Sequence, residues 1–229
     1  MPAPVAEWCR RTVTRGALSG PQYERARYGL YRTTGAKVTT AQRIVDVAAG
    51  LPAGALIAGW AAAYVHGVDL LDGLDDFTMA PLPVPVLLPP GQRRRSHDDV
   101  TYRQSTRVSR GAVIEDVPVT TRLRTALDLA LHARDLTEAV VSLDAALAAG
   151  LLSYERLQKA GPSIPARRGA IQARRAIPLA RVGVRSTWES RLRMFAVEEL
   201  GWTELVVNQP VFEIGSSSTS RKHWIRLPA

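Results

Sequence analysis

Pro81, Pro83, Pro85, Pro89 and Pro90 crowd one decapeptide, with Val84, Val86, Leu87 and Leu88 between them. A proline ring clashes with the preceding helical turn and donates no N–H, so this stretch is excluded from helix and from a central strand. It predicts an edge strand or a polyproline segment. Beyond it, Val100-Thr101-Tyr102-Arg103-Gln104 and the run from Val113 to Val119 are β-branched, bounded by turn residues, and read as strands. From Leu123 the apolar period lengthens. Leu123, Ala126, Leu127, Ala130 and Leu131 make one helical stripe; Leu136, Ala139, Val140, Leu143 and Leu147 make the next, stopped by Gly150. Ser153 caps a third short helix carrying Leu157. Strands followed by a run of helices predict an α+β chain.

Upstream, residues 1–35 read as a short helical piece and an extended hairpin, with Pro21 suited to a first helical turn and Arg27 to Arg32 to a strand around Gly29. Thr39-Thr40-Ala41-Gln42 has capping-box spacing before Ile44, Val47, Ala48 and Leu51. The Ala-rich run from Ala58 to His66 predicts a compact helix closed by Gly67. Downstream, a helix is expected from Ala166 to Ile177, broken by Pro178, and another from Ser186, with Trp188, Leu192, Phe195, Ala196 and Leu200 on one face and Gly201 as its stop. A strand is expected over Val206 to Phe212. These patterns divide the chain into an N-terminal unit at 1–35, a middle module at 36–152, a basic helical linker at 153–185 and a last segment at 186–229.

Charge narrows the partner. The 229 residues carry 30 Lys and Arg against 21 Asp and Glu, a formal net charge of +9. From Arg156 to Trp188 there are eight bases and no acid, and residues 1–35 form a second positive pole. Such an unmixed distribution favours a polyanion. Arg167, Arg168, Arg174 and Arg175 fall on one broad helical face and would hold phosphates without sequence preference. Arg25, Arg27 and Arg32 alternate with Tyr23, Tyr28 and Tyr31, so guanidinium and phenol groups suited to a DNA backbone share one hairpin. Arg93-Arg94-Arg95 is a further loop triplet. The alternative for each is a solvated arginine or a packed tyrosine.

Other chemistries have little foothold. Cys9 is the single cysteine, which excludes an internal disulfide and a multi-cysteine zinc site. His66, His97, His132 and His223 lack the spacing of a helical metal pair. Phosphate-cradling glycine loops and the serine-hydrolase elbow are absent. Without an apolar leader or a membrane-length apolar run, a cytoplasmic protein is expected.

Several blocks together resemble a bacterial family of AbiEi-type antitoxins or transcriptional regulators, often fused to a domain similar to very-short-patch-repair endonuclease. They are Gly16-Ala17-Leu18-Ser19 with Gly29-Leu30-Tyr31-Arg32, Gly59 to Gly67, Val117-Pro118-Val119-Thr120-Thr121 with Arg124 to Leu129, Leu136 to Ala146, and Ser186 to Arg193. The likeness runs from about Gly16 to Phe212. It implies a short winged-helix-like remnant, a mixed middle module and an incomplete nuclease-like C-terminus. Its functional implication is binding to double-stranded DNA; separately, the acidic middle of the chain, Asp69, Asp72, Asp75 and Asp76, offers a surface for a cognate toxin.

The nuclease-like part resembles the PD-(D/E)XK kind, which holds Mg²⁺ between converging carboxylates so that the ion activates water and neutralises the scissile phosphate. Glu189 matches that family's helix carboxylate. Residues Glu213 to Ala229 stand where acidic strands should follow, and Glu213 is the sole acid of that tail. Ser186-x-x-Glu189 is also a capping box, and Glu189 with Arg193 a favourable i,i+4 pair. The expectation is therefore a non-catalytic regulator or antitoxin-like protein without a cofactor. A Mg²⁺-dependent endonuclease built on Glu189, or a toxin-neutralising interaction protein, are the alternatives.

Overall fold

The computed structural model describes residues 3–27, 29–35, 38–105, 110–202 and 205. The expected strand at 206–212, Glu213 and His223 lie outside them. The chain is α+β, and it divides into two compact units, Met1–His66 with Leu71–Thr121 and Gly67–Leu70 with Arg122–Ala229. This division falls at other points than the expected 35, 152 and 185, because the helices after Arg122 pack with one another.

The first unit begins with β1 (Ala3–Pro4), α1 (Val5–Arg10), β2 (Tyr23–Arg27) and β3 (Leu30–Thr33). The three strands form an antiparallel sheet in the order β1-β3-β2. Gly29, at φ +74°, supplies the left-handed turn between β2 and β3. No helix follows Pro21: a 3₁₀ turn at Ala17–Ser19 precedes it and β2 starts at Tyr23.

A five-stranded sheet follows, built from β4 (Leu56–Ile57), β5 (Val84–Leu88), β6 (Val100–Gln104), β7 (Gly111–Ile114) and β8 (Val117–Thr120), in the order β6-β5-β4-β8-β7. The proline-rich segment thus lies inside the sheet, against expectation. Its register explains how. Val84 N–H donates to Asp99 and the Leu88 carbonyl accepts from Ser105, so these even positions bond to the parallel neighbour β6. Pro85 turns its missing donor the other way, towards β4, which is two residues long and ends where Ala58 N–H donates to the Pro85 carbonyl. Alternate prolines therefore cost few ladder bonds here. The expected strand from Val113 to Val119 is a hairpin, because Glu115 and Asp116 both take left-handed φ, 48° and 64°, and reverse the chain.

Helices α2 (Thr40–Ala48) and α3 (Gly59–Val65) pack against this sheet. Ile44, Val47, Ala61 and Ala62 meet Ile57, Val84, Val86, Leu88, Val100 and Val119 in one core. The small residues of α3 allow close approach to the strands. The Thr39 hydroxyl caps α2 by accepting from Gln42 N–H at 3.1 Å, but the Gln42 side chain donates to Asp46 instead of reaching back, so half of the expected capping box forms.

The second unit is helical: α4 (Arg122–His132), α5 (Leu136–Ala148), α6 (Tyr154–Ala160), α7 (Ala170–Leu179) and α8 (Thr187–Glu199). α5 is its centre and packs against α4, α7 and α8. That is why Ala139, Val140, Val141, Leu143, Ala145, Ala146 and Leu147 are all buried, around most of the helix instead of along one stripe.

Candidate nucleic-acid interface

α7 begins at Ala170, four residues later than expected, because Gly169 takes φ +81° and breaks the helical path. A Cβ on Gly169 would lie 2.0 Å from the Leu131 carbonyl oxygen, so this glycine also permits close packing on α4. Arg167 and Arg168 consequently precede the helix, while Arg174 and Arg175 sit on it. Pro178 does not end α7; it occupies the last turn, and Ala180 N–H still bonds to the Ala176 carbonyl.

Ala170, Ala173, Ala176 and Ile177 are buried, which turns Ile171, Arg174 and Arg175 to solvent. Ile171 is 75% exposed. The four predicted arginines are all exposed, but they differ in commitment. Arg167 Nη2 lies 3.5 Å from Asp128 Oδ1, and Arg174 Nη2 donates to the Ile164 carbonyl beside a cleft lined by Gln158, Pro162 and Ile177. Arg168 and Arg175 have no ion-pair partner among the described residues. Arg156 and Lys159 on α6 are exposed as well. Arg181 is held inward, its N–H donating to Asp144 Oδ1 at 2.6 Å and its Nη1 to two carbonyls.

The hairpin carries less of the expected surface. Arg32 is withdrawn from it: the guanidinium reaches Glu24 and, at 2.7 Å, Asp46 Oδ2, and its side chain is 15% exposed. A group so paired joins β3 to α2, and a phosphate would have to displace two carboxylates to use it. Arg25 is exposed on β2 opposite Tyr31. Arg27 contributes its backbone to β2, and its side chain, like Tyr28, lies outside what the structure describes. Tyr23 packs edge-on against Trp8 at 5.2 Å, and Trp8 Nε1 donates to the Tyr31 carbonyl, so the aromatic residues here serve the small sheet. Arg93, Arg94 and Arg95 are exposed in the loop after β5.

Glu189 is used as a cap. Ser186 Oγ accepts from Glu189 N–H at 3.2 Å, and Glu189 Oε2 accepts from Arg185 N–H at 2.9 Å. The expected pair with Arg193 does not form. Arg193 instead points into the unit, where Nη2 meets Asp144 Oδ2 at 2.6 Å and Nη1 donates to the Leu179 carbonyl. Ser190 Oγ donates to the same carboxylate at 2.7 Å. Asp144 is completely buried, and burial pushes its carboxyl above the usual aspartate range while Arg193, Arg181 N–H and Ser190 pull the other way. Sequence reasoning missed this hub, although an aspartate on the apolar run of α5 was its signal. Among the described residues, no three His, Cys, Asp or Glu side chains gather as a metal site.

The acidic loop of the first unit is internally bonded. Asp75 Oδ1 accepts from Phe77 N–H, Thr78 N–H and the Thr78 hydroxyl, and Asp72 Oδ1 accepts from Leu74 N–H. Arg43, stacked over Trp60, donates to the Gly73 and Leu82 carbonyls at the loop's base. Phe77 and Met79 project from it, both more than half exposed. No helix of the described residues is long and apolar enough to cross a membrane.

No family model matches the chain, and no curated protein matches it significantly. Among solved structures, the crystal structure of the RV2827C protein from Mycobacterium tuberculosis is similar over 71% of this chain and 67% of that one, at 15% identity and a TM-score of 0.41. A likeness that distant does not bear on function.

Proposed function

We propose that this chain is a cytoplasmic DNA-binding regulator or antitoxin-like protein that occupies duplex DNA without cutting it. The observation that carries this reading is the outward set Arg156, Lys159, Arg168 and Arg175, drawn from a 33-residue stretch that contains no acid. Glu155 on α6 offsets part of the charge of Arg156 and Lys159, whereas Arg168 and Arg175 retain their field for a polyanion, and each phosphate neutralised releases condensed counterions. Arg167 and Arg174, anchored at Asp128 and Ile164, add positive charge at a fixed position. Glu189 is occupied in capping, which supports a binding role over a hydrolytic one.

The test is duplex binding by fluorescence anisotropy at increasing salt. The expected log–log slope is steep, and Arg168→Ala with Arg175→Ala should flatten it by roughly 0.9 for each phosphate that the variant no longer neutralises. Absence of binding at low ionic strength overturns the reading. So does Mg²⁺-dependent nicking of plasmid that Glu189→Gln abolishes.

A further inference from the structure

We propose that the cleft between α6 and α7 binds a small organic anion, an oxyanion carried on an apolar ring. The cleft holds about 310 Å³ and is lined by Gln158, Gly161, Pro162, Arg174, Ile177 and Pro178. That volume is near the lower end of the range for small-molecule sites, roughly 300–1,000 Å³. Its walls are tied together within one unit, since the Tyr154 hydroxyl on α6 donates to the Pro178 carbonyl on α7 at 3.3 Å. At its floor Gly161 carries no side chain, and a Cβ there would lie 3.2 Å from Ile177 Cδ1. Two prolines and an isoleucine already buried in its own unit lose little side-chain freedom when covered, so these walls are preorganised for an apolar body.

The polar groups select the ligand's charge. Arg174 Nη2 donates to the Ile164 carbonyl, which fixes the guanidinium at the cleft while Nε and Nη1 keep their N–H groups. Among the described residues, Arg174 makes no other side-chain hydrogen bond and no ion pair, and the Gln158 side chain makes neither. A guanidinium only donates and does not lose its proton, so it calls for an acceptor, best an anionic one. No acid lines the cleft to compete for it. Inorganic phosphate would gain nothing from the proline and isoleucine walls, and a neutral hydrocarbon nothing from the guanidinium. A carboxylate or phosphate monoester on a ring uses both. The Gln158 amide, which donates and accepts, suits a further polar substituent. This inference uses the α6–α7 cleft alone and stands whether or not the chain binds DNA.

Titration of the full chain followed by amide NMR tests it, with benzoate, phenyl phosphate, the neutral isostere benzamide and inorganic phosphate as probes. Benzoate, phenyl phosphate or both should shift the Gly161 and Ile177 amides saturably. Benzamide and inorganic phosphate should bind weaker by about tenfold or more. The tighter anion identifies carboxylate or phosphate as the group received, and either result upholds the site. Arg174→Gln should weaken binding about tenfold or more, whereas Arg122→Gln, of the same net charge and exposed on α4, should leave it unchanged. Gln158→Glu is nearly isosteric and exposed, so the fold should persist, and its carboxylate should weaken anion binding by a similar factor. Lack of a saturable shift with either anion, benzamide or inorganic phosphate binding as tightly, equal losses in Arg174→Gln and Arg122→Gln, or indifference to Gln158→Glu overturns the proposal.

Discussion

Asp144 shows how much of the helical unit depends on one carboxylate. It receives Arg193, Ser190 and the Arg181 backbone, so it joins α5 to α8 and to the segment after α7. Asp144→Asn keeps the shape but sets an amide nitrogen, which cannot accept, where Arg193 and Ser190 now donate to a carboxylate oxygen, leaving two buried donors unpaired at an expected cost of about 3 kcal/mol. Denaturant unfolding measures the loss, and adding Arg193→Met should recover much of it. The pH dependence has a definite sign. Burial raises the folded carboxyl above its unfolded value, so the folded chain binds the proton more tightly. This group's contribution to stability is full below the unfolded aspartate range and declines as pH rises through the raised value. Stability of the parent should therefore fall across that window relative to Asp144→Asn; a parallel profile for the two proteins would refute the assignment. Gly169 is the comparable backbone position. Gly169→Ala combines a left-handed φ with a clash against the Leu131 carbonyl, and is expected to lower stability by about 3 kcal/mol. Gly183→Ala, at an exposed left-handed turn with open space around it, isolates the conformational part of that loss.

At the scale of elements, what could be read from sequence is what local chemistry decides. Thr39, Ser153 and Ser186 cap α2, α6 and α8 as their spacing implies, since a cap needs a hydroxyl and an N–H a few residues apart. α4 and α5 follow their apolar periods. Several of the misses involve partners distant in sequence. β5 is interior because β4 is short, which the proline pattern does not reveal. Arg32 is paired because Asp46 lies across from it on α2, and Arg193 turns from Glu189 to Asp144 on another helix. The apolar face read on α8 mixes two surfaces: Ala196 is buried, whereas Trp188, Leu192 and Phe195 face solvent. Periodicity identifies an apolar stripe but not the body that covers it. Of the candidate interface, the arginines of 167–175 were legible as a charge run, while the division between anchored Arg167 and Arg174 and outward Arg168 and Arg175 required coordinates.

For the whole molecule, the question is whether polyanion affinity resides in one surface or in the net charge of +9. Long-range attraction depends on total charge, whereas counterion release depends on the cations that meet phosphates. Two charge-matched variants separate these. Replacing Arg156, Lys159, Arg168 and Arg175 by Gln removes four exposed cations from the acid-free stretch; replacing Arg93, Arg94, Arg95 and Arg110 by Gln removes four exposed cations from the first unit. Both variants have the same net charge, and both change exposed side chains, so the fold should persist in each. If the interface is local, the first loses most of its low-salt affinity and its salt slope falls by roughly three to four, at about 0.9 per phosphate neutralised. The second retains the parent slope. Equal losses in the two would assign the affinity to net charge and remove the local interface, and a loss confined to the second would move the interface to the loop after β5.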